Sequence, residues 1–475
     1  MPVSYASPSC LFADSTNSEA KPTLHLYNGI TERRGVTMNI KENKLKAILQ
    51  FSVPSVIAML LETVITITDG YFTGNYVGED ALAAINLGLP VLYFYLGIGL
   101  CVGVGGTVIC GKMLGAKDSH KASQVFSQTV VTAGIVCAAT SLAVLLLFSP
   151  ILKVLRADGK LASYFTQYYK IMLIAYPLMV IETILGMFLR MDGKPQACML
   201  VRGASCILNA VLDYILVGRL ALGIQGSAVA TLVVQAVAVL LQAVYFLKLS
   251  SDIHFERFRF DRAVNRESFL NGSSEFIGEM ASTISMFTYN YVLMKYVGVQ
   301  GVAAFTVLGF AVYGYSMVTI GFGQGLTTLV SVSWGAREWE TAMDYRRITN
   351  KILLMLGALS AACFWILGRR YANLFGCSSG VGDMVATGFR FCALTFLIMG
   401  YDVTNSMYFT SCGDAFSSAL ISALRGIVLL LTFLLLFPAL WGMTGVWMAA
   451  PAAEALTAIV SAYLIGRQKR KMESR

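Results

Sequence analysis

The chain matches a copy of itself, without gaps, when one copy is shifted by 220 residues. Between positions 76 and 122 the two copies share thirteen residues, whereas composition alone predicts roughly three or four. Gly and Ala recur by chance in membrane helices, but the matched tyrosines and matched loop starts argue against chance. The chain is therefore a duplication, and the residues shared with the shifted copy are Tyr76, Val77, Gly78, Ala83, Ala84, Tyr93, Tyr95, Gly103, Gly105, Thr107, Gly115, Ala116 and Ala122.

Hydrophobic residues occupy 56% of the 475 positions and charged residues only 13%, about half the share typical of soluble domains. Each half of the chain contains six apolar stretches long enough to cross roughly 30 Å of hydrocarbon as helices. We therefore predict an all-α polytopic membrane protein with twelve transmembrane helices in two parallel six-helix repeats. The predicted spans, numbered one to twelve, are 48–74, 81–110, 125–148, 163–189, 197–217, 227–247, 276–297, 302–330, 352–367, 384–410, 417–436 and 442–465.

Lys and Arg concentrate in the loops on one side of the predicted membrane, which is the side of the N-terminus. Basic residues in short loops are retained in the cytoplasm. Both termini are therefore expected to be cytoplasmic, and the protein is expected to be a multi-pass protein of the bacterial plasma (inner) membrane. The same basic residues account for the net charge of +9, so this charge does not indicate nucleic-acid binding.

The domain boundaries follow from the spans. We expect a polar leader at 1–37, a first lobe with spans one to six at 38–249, a cytoplasmic linker at 250–268, a second lobe at 269–466 and a basic cytoplasmic tail at 467–475. Arg33 and Arg34, if encoded as AGG AGG, would form a bacterial ribosome-binding sequence just before Met38. Met38 is therefore expected to be the true first residue, and the alternative is an ordinary disordered tail.

Several kinds of chemistry lack their motifs in this sequence. The cysteines show no C-x-x-C spacing, the histidines all lie outside the predicted spans, and no phosphate-binding glycine-rich loop is present. We therefore expect no enzymatic activity, no bound nucleotide and no cofactor, so that the only small ion required is a coupling ion, H⁺ or Na⁺. The expected partners are the lipid bilayer and small organic cations, and the protein is expected to act as a monomer.

Four polar residues are predicted to share one depth near the outer end of the first lobe. Asp69 lies close to the end of span one, Asn209 and Asp213 are one helical turn apart on span five, and Thr231 lies one turn into span six. Two neighbouring carboxylates cannot both remain ionised at low cost, so the group is expected to bind a proton or Na⁺. For each residue a structural role stays open, either at the membrane interface or in a hydrogen bond between helices.

Other intramembrane acids are secondary candidates, because an ionisable side chain at this depth is costly and usually functional. Glu182 and Asp402 are 220 positions apart, which suggests a matched structural pairing. Pro54 precedes Asp69 by fifteen residues in span one and is a candidate hinge, unless it lies in the first turn of the helix. The secondary candidates are Glu62, Glu275, Glu279, Asp402 and Glu454.

The order and spacing of these motifs resemble the multidrug and toxic compound extrusion (MATE) transporters. The resemblance covers Met38 to Arg475 and rests on Pro54 to Gly70, Gly78 with Ala81-Leu82-Ala83-Ala84, Gly115-Ala116-Lys117 and its repeat Gly335-Ala336-Arg337, Asn209 to Asp213, and Gly223 to Thr231. It implies two six-helix lobes that form a V and alternate access to the two sides. It also implies that Asp69, Asn209, Asp213 and Thr231 form the cation site, that Pro54 bends, and that amphipathic organic cations are exported.

One part of the resemblance is incomplete. Sodium-coupled members of one branch carry a glutamate in span seven and a Tyr-x-x-x-Asp pair in span ten. In this chain Ser282 occupies the repeat-equivalent of Glu62, and Ile398 stands at the tyrosine position before Asp402. Efflux of organic cations is the function we expect. The alternative is a flippase for a lipid-linked saccharide, which would need a continuous cationic groove.

Overall fold

The computed structural model describes residues 43–154, 158–250 and 252–474 as one unit built from helices. The leader predicted at 1–37 lies outside the described residues. Spans one to six are Lys44–Tyr76, Glu79–Leu87 with Leu89–Gly115, Ser119–Leu146, Gly159–Met191, Pro195–Asp213 with a π-helical turn at Tyr214–Arg219, and Ile224–Lys248. Spans seven to ten are Arg262–Tyr296, Val299–Gly335, Trp339–Leu374 and Ser379–Cys412. Spans eleven and twelve come from Ala415–Ala423, a π-helical turn at Leu424–Val428 and Leu429–Glu473, and a short helix, Phe148–Val154, follows span three.

The predicted twelve-helix fold is confirmed. Among the described residues, ten helices are long and apolar enough to cross a membrane. Span seven is the eleventh and has 35 residues, but its first turns are polar. The twelfth comes from the 59-residue stretch Ala415–Glu473, which leaves helical geometry at Gly442, where φ is 54°. A positive φ is cheap only for glycine, so Gly442 separates spans eleven and twelve.

Span seven begins at Arg262, inside the segment that the sequence assigned to the linker. Polar side chains fill its first turns, so hydropathy alone placed the start fourteen residues too late, at position 276. The segment before it lies along span three, because Ser127 Oγ accepts from the backbone N–H of Glu256 at 2.9 Å and Gln128 Oε1 accepts from that of Asp261 at 3.1 Å. The connection between the halves is thus packed onto the first half.

Each half has its own hydrophobic core. One core is formed by buried residues between Ala81 and Ile253, with span four at its centre, and a second by buried residues between Ala304 and Trp447. Spans one and two of the first half pack against spans eight and seven of the second half. The duplication therefore gives two lobes that meet through equivalent helices.

The lobes meet across a pseudo-two-fold axis that passes between two matched glycines. A Cβ added to Gly115 would lie 2.1 Å from the backbone oxygen of Val332, and one added to Gly335 would lie 2.1 Å from that of Lys112. Gly115 and Gly335 are repeat-equivalent, and so are Lys112 and Val332. The identity of these glycines in both copies thus has a steric cause, because the ends of spans two and eight cross with no room for a side chain.

The contacts between the lobes lie on one side of the membrane, which we call the Lys44 side because span one begins there. The Lys44 Nζ and Asp344 Oδ2 atoms are 2.6 Å apart, and Lys112 Nζ lies 3.6 Å from Glu267 Oε1. Among the described residues, the hydrogen bonds and ion pairs that join spans one and two to spans seven to nine lie on this side or at mid-membrane. Towards the opposite side Tyr71 is 60% exposed. The polar contacts between the lobes are therefore concentrated on the Lys44 side and at mid-membrane.

Candidate functional site: a buried carboxyl pair in the first lobe

The structure brings Asp69, Asn209 and Asp213 together. Asn209 Nδ2 donates to Asp69 Oδ1 at 2.8 Å, and the Asp213 carboxyl group lies directly beside that of Asp69. Asn209 and Asp213 are fully buried, and neither oxygen of Asp213 accepts a hydrogen bond from the described residues. The groups acting on the two carboxyls include no Lys or Arg. This carboxyl pair is therefore not compensated by a basic side chain.

The local helix geometry positions these side chains. Asn209 and Asp213 are four residues apart, so both face span one from the same side of span five. Immediately after Asp213 the helix widens into the π-helical turn Tyr214–Arg219. Such turns are rare and occur frequently at functional sites. The ring of Tyr168, from span four, is close to both carboxyl groups and closes the site within the lobe.

Thr231 does not join the hydrogen bonds of the carboxyl pair. It is half-buried, and its hydroxyl donates to the backbone oxygen of Ser227, in its own helix, at 3.2 Å. A threonine hydroxyl commonly makes this local bond inside a helix. The role predicted for Thr231 in the cation site stays a prediction.

Two adjacent carboxyl groups in a buried site cannot both carry full charge at low cost. The pair can hold one proton between its oxygens, or it can bind one small cation. Asn209 Oδ1 has no partner among the described residues, so one amide oxygen and the carboxylate oxygens could serve as ligands for Na⁺. Over the same residues, no cluster of three or more His, Cys, Asp or Glu fits a metal ion. The binding of a coupling ion at this site stays a prediction.

Pro54 lies well inside span one, ten residues after the helix begins at Lys44, so the alternative of a first-turn position does not apply. Because proline has no backbone N–H, the carbonyl group of Gln50 lacks its helical partner. Ser55 Oγ donates to the carbonyl oxygen of Phe51 at 2.9 Å in the same turn. This weakened turn lies on the same helix as Asp69, and its role as a hinge stays a prediction.

Glu62 and Glu182 converge on one arginine in the first lobe. Arg202 Nη2 lies 2.8 Å from Glu182 Oε2 and 3.7 Å from Glu62 Oε2. Gln242 Nε2 donates to the other oxygen of Glu182 at 3.1 Å. Arg202 and Glu182 are buried, whereas the Glu62 side chain is 39% exposed. The arginine that interrupts span five in the sequence thus neutralises an acid inside the lobe.

A corresponding cluster lies in the second lobe. Arg425 Nη2 is 2.7 Å from Glu454 Oε1, and Asp402 and Glu275 lie close enough to interact with the same arginine. Asp402 is fully buried, and neither of its oxygens accepts a hydrogen bond from the described residues. Arg425 is 223 positions after Arg202, not 220, so the exact shift did not reveal that the two arginines correspond.

Glu279 lies in the middle of span seven, where the two lobes face each other. A Cβ atom added to Gly97 of span two would lie 3.5 Å from the Cβ atom of Glu279 and 2.9 Å from the ring of Phe276. Tyr93 and Tyr313, a repeat-equivalent pair, lie close to each other and to Glu279, and Tyr313 also lies close to Glu62. Two carboxylates and two aromatic rings thus line the space between the lobes. The matched tyrosines were visible in the sequence, although their role was not.

The MatE family profile matches residues 54–215 and 276–436. The multidrug export protein MepA of Staphylococcus aureus (strain MRSA252) is 25% identical over 431 residues, which cover 90% of this chain and 94% of that protein. MepA of Staphylococcus saprophyticus is 24% identical over 430 residues, with the same coverage.

Solved structures share the fold. A MATE protein crystallised with MaL6 has a TM-score of 0.86 at 22% identity, covering 95% of this chain and 98% of that one. An outward-facing MATE transporter of the MOP superfamily has a TM-score of 0.84 at 22% identity, with the same coverage. The family profile covers more than half of the chain, in one segment for each repeat. The chain therefore belongs to the MatE family, the multidrug and toxic compound extrusion transporters.

Proposed function

We propose that this protein is a cation-coupled antiporter that exports small, amphipathic organic cations by alternating access. The observation that carries the proposal is the pair formed by Asp69, which is half-buried, and Asp213, which is fully buried; neither has a basic partner among the described residues. A proton or Na⁺ that enters this site removes the repulsion between the two carboxyl groups. Binding of the coupling ion therefore stabilises the arrangement in which they are adjacent.

Coupling requires that ion binding changes the shape of span one, because this helix contacts the second lobe. Asp69 lies on span one, and the same helix packs against span eight near Val56, where a Cβ on Gly321 would lie 2.6 Å from the Val56 Cα. The turn weakened by Pro54 lies next to that contact. Ion binding at Asp69 can thus affect the lobe interface through span one alone. Because the turn weakened by Pro54 lies next to that interface, we propose Pro54 as the hinge.

The space between the lobes suits a cationic cargo. Glu62 and Glu279 face it from opposite lobes, and Glu279 forms no ion pair among the described residues. The rings of Tyr93 and Tyr313 are close to these acids, and aromatic faces attract organic cations. Carboxylates and rings together recognise a charge attached to an apolar body, which is why we assign amphipathic cations as the cargo.

The flippase alternative lacks its main requirement. A lipid pyrophosphate would need unneutralised basic residues along the cavity. Arg202 and Arg425 are both held by carboxylates, at 2.8 Å and 2.7 Å. Lys295 is exposed and lies over the ring of Tyr296, its nitrogen 5.2 Å from the ring centre. The basic residues that the sequence offered for such a groove are thus neutralised or exposed.

The proposed orientation follows from the basic residues. With Lys and Arg on the Lys44 side, this side is cytoplasmic and both termini are cytoplasmic, in the plasma membrane of a bacterium. The lobes then touch on the cytoplasmic side and separate towards the exterior, which is the arrangement after cargo has been carried outward. We propose that a single chain carries out this cycle as a monomer.

The proposal is tested by reconstituting the purified protein in proteoliposomes and following a fluorescent organic cation. A proton gradient and a sodium gradient are imposed separately, without ATP. We expect transport to depend on one of these gradients. Asp69→Asn should reduce transport to the level of empty liposomes. With a single carboxyl group left, there is no repulsion between neighbouring carboxylates, so the binding and release of the ion no longer change the conformation.

The control is Asp383→Asn, which removes an acid that is 59% exposed and pairs with Arg369 at 3.2 Å. It should transport at the wild-type rate. Gradient-independent uptake by the wild type, or full transport by Asp69→Asn, would contradict the proposal.

A further inference from the structure

The second lobe contains a buried arginine that no carboxylate neutralises. Arg346, on span nine, is 7% exposed, and its Nη1 donates to Asn405 Oδ1, on span ten, at 3.0 Å. Among the described residues it forms no ion pair, and the titratable groups that act on it are Tyr401, Tyr408, Cys412 and Arg347. A buried charge without a counter-ion is costly, so a retained one indicates an anion that binds there.

Unpartnered hydrogen-bond donors lie on the same two helices as this guanidinium group. Arg346 Nε, Asn405 Nδ2 and the hydroxyl groups of Thr349, one turn further along span nine, and Thr404, next to Asn405 on span ten, are buried and have no partner among the described residues. Each of these groups can donate a hydrogen bond. The Arg346 Cζ atom also lies 5.4 Å from the centre of the Tyr408 ring, which holds the guanidinium in place. A set of donors with one positive charge is suited to an anion.

Among the described residues, no carboxylate forms an ion pair with Arg346. Three carboxylates on the Lys44 side pair with other basic residues: Asp344 with Lys44 at 2.6 Å and Arg347 at 3.2 Å, Glu267 with Lys112 at 3.6 Å, and Glu473 with Lys469 at 3.5 Å. The missing counter-ion is therefore expected to come from outside the described residues.

The first lobe shows that the fold does not require an arginine and an asparagine at this place. The 220-residue shift pairs Arg346 with Phe126 and Tyr408 with Phe188, and it pairs Asn405 with Leu185. The rings of Phe126 and Phe188 are 4.8 Å apart and belong to the core of the first lobe. The same six-helix scaffold thus packs here with apolar residues in place of Arg346, Asn405 and Thr404, and it retains a threonine, Thr129, in place of Thr349. The guanidinium and amide groups of the second lobe therefore have a purpose other than packing.

The second lobe also has space where the first lobe has rings. In the first lobe Phe246 and Phe255 cover Phe126, with ring centres 4.6 Å and 4.7 Å away. The counterpart of Phe246 is Gly466, where an added Cβ would meet no atom within 4 Å. A small ligand could approach from this side, and basic residues follow directly at Arg467, Lys469, Arg470 and Lys471.

We propose that Arg346, Asn405, Thr349 and Thr404 form a binding site for an anionic phosphate group on the Lys44 side of the second lobe. Guanidinium, amide and hydroxyl donors together are the usual ligands of phosphate oxygens. The group belongs either to the headgroup of an anionic phospholipid or to free phosphate. Basic pockets between membrane helices on the cytoplasmic side bind such headgroups.

The experiment titrates the delipidated full chain in detergent and records the midpoint of thermal unfolding. One arm adds phosphatidylglycerol, with phosphatidylcholine as the uncharged comparison, and the other adds inorganic phosphate, with NaCl at equal ionic strength. We expect a rise of the midpoint in at least one arm. Arg346→Gln should weaken the apparent affinity on the order of tenfold or more, because a charged hydrogen-bond donor is lost.

Arg347→Gln is the matched control, because Arg347 is the next residue, is 50% exposed and already pairs with Asp344. It should retain the wild-type response. The double variant Arg346→Phe with Asn405→Leu restores the residues of the first lobe, and it should fold while losing the response. A response to phosphatidylglycerol alone identifies a lipid headgroup, and a response to phosphate identifies the free anion. A wild type that responds in neither arm, or Arg346→Gln with an unchanged response, would overturn the proposal.

Discussion

In the first lobe the buried acids form two separate groups, whereas in the second lobe they gather around a single arginine. Asp69 and Asp213 are adjacent without a basic partner, while Glu182 is neutralised by Arg202. In the second lobe the 220-residue shift places Tyr289 and Phe433 where the first lobe has Asp69 and Asp213. These two residues belong to one apolar cluster.

The two copies therefore share the same helical fold but differ in the polar groups inside each lobe. Both lobes contain a buried arginine that binds an acid, which is a structural element. In the part of the chain that the structure describes, Asp69 and Asp213 of the first lobe are neighbouring carboxyl groups on which no basic residue acts, whereas Arg425 acts on Asp402, Glu454 and Glu275 in the second lobe. We therefore expect the coupling ion to bind in the first lobe. The second lobe is expected to respond by a rigid-body movement.

The largest expected effect tests this asymmetry directly. Asp213→Asn should reduce gradient-driven efflux to background, because its partner Asp69 can then stay ionised without binding an ion. Asp402→Asn removes a fully buried carboxyl group of the second lobe and should retain at least half of the wild-type rate, because Arg425 and Glu454 remain paired at 2.7 Å. Both rates are measured in proteoliposomes with equal protein content. Equal loss in the two variants would mean that both lobes bind the coupling ion.

The next effect concerns the two arginines. Arg202→Met leaves the buried carboxylate of Glu182 without its partner and should lower the free energy of unfolding by about 3–5 kcal/mol. Arg425→Met should cost less, because Arg425 and Glu454 retain 22% and 10% exposure, against 7% and 2% for Arg202 and Glu182. Denaturant unfolding in detergent measures both. Adding Glu182→Gln to Arg202→Met should restore part of the stability, and no rescue would show that packing, not charge, is responsible.

A smaller effect is expected at the matched glycines. Gly335→Ala places a Cβ 2.1 Å from the backbone oxygen of Lys112, so spans two and eight must move apart. Overpacking of this kind costs about 1–3 kcal/mol and should shift the population towards separation on the Lys44 side. Distances between spin labels on the ends of spans two and eight would report this shift. Gly134→Ala is the control, because a Cβ there meets no atom within 4 Å, and an equal shift in the control would contradict the steric explanation.

The smallest effect is a pH dependence at a position that differs between the lobes. Asp192, in the loop between spans four and five, accepts hydrogen bonds from the hydroxyl groups of Tyr245 and Ser250, and Cys412 is its counterpart in the second lobe. Burial raises the pKa of the Asp192 carboxyl from its usual 3.8 to about 6. The folded state thus holds this proton more tightly than the unfolded state.

The resulting stability is fully present below pH 3.8 and is lost as the pH rises through about 6. Asp192→Asn does not titrate, so its unfolding midpoint should rise relative to the wild type between pH 4 and pH 8. The expected gain at pH 8 is about 1–2 kcal/mol, after allowing for weaker hydrogen bonds to the amide. Thermal unfolding at several pH values measures it, and parallel curves for the two proteins would exclude the effect.

Much of this architecture could be predicted from the sequence. The gap-free repeat and the apolar stretches predicted two parallel sets of six helices, and helical periodicity predicted that Asn209 and Asp213 share a face. The family was predicted from the order of its motifs and is confirmed by the profile match. These features are encoded locally, by hydropathy and by spacing along one helix.

The contacts between helices could not be predicted in the same way. The sequence placed Thr231 at the depth of Asp69, but side-chain direction determines that its hydroxyl bonds to Ser227. Arg202 was visible as an interruption, but its acid partners come from spans one and four, which periodicity does not place in contact. The anion site on Arg346 was not predicted, since a basic residue near a helix end normally reaches water.

The crossing at Gly115 and Gly335 has one more consequence. A residue on a two-fold axis meets its own copy, so a free six-helix protein with this glycine could pair with a second molecule through the same contact. Joining two such molecules end to end would need no new surface at the crossing. In a fused chain of this kind, the interior of either lobe can change without loss of the glycine contact that aligns the two lobes.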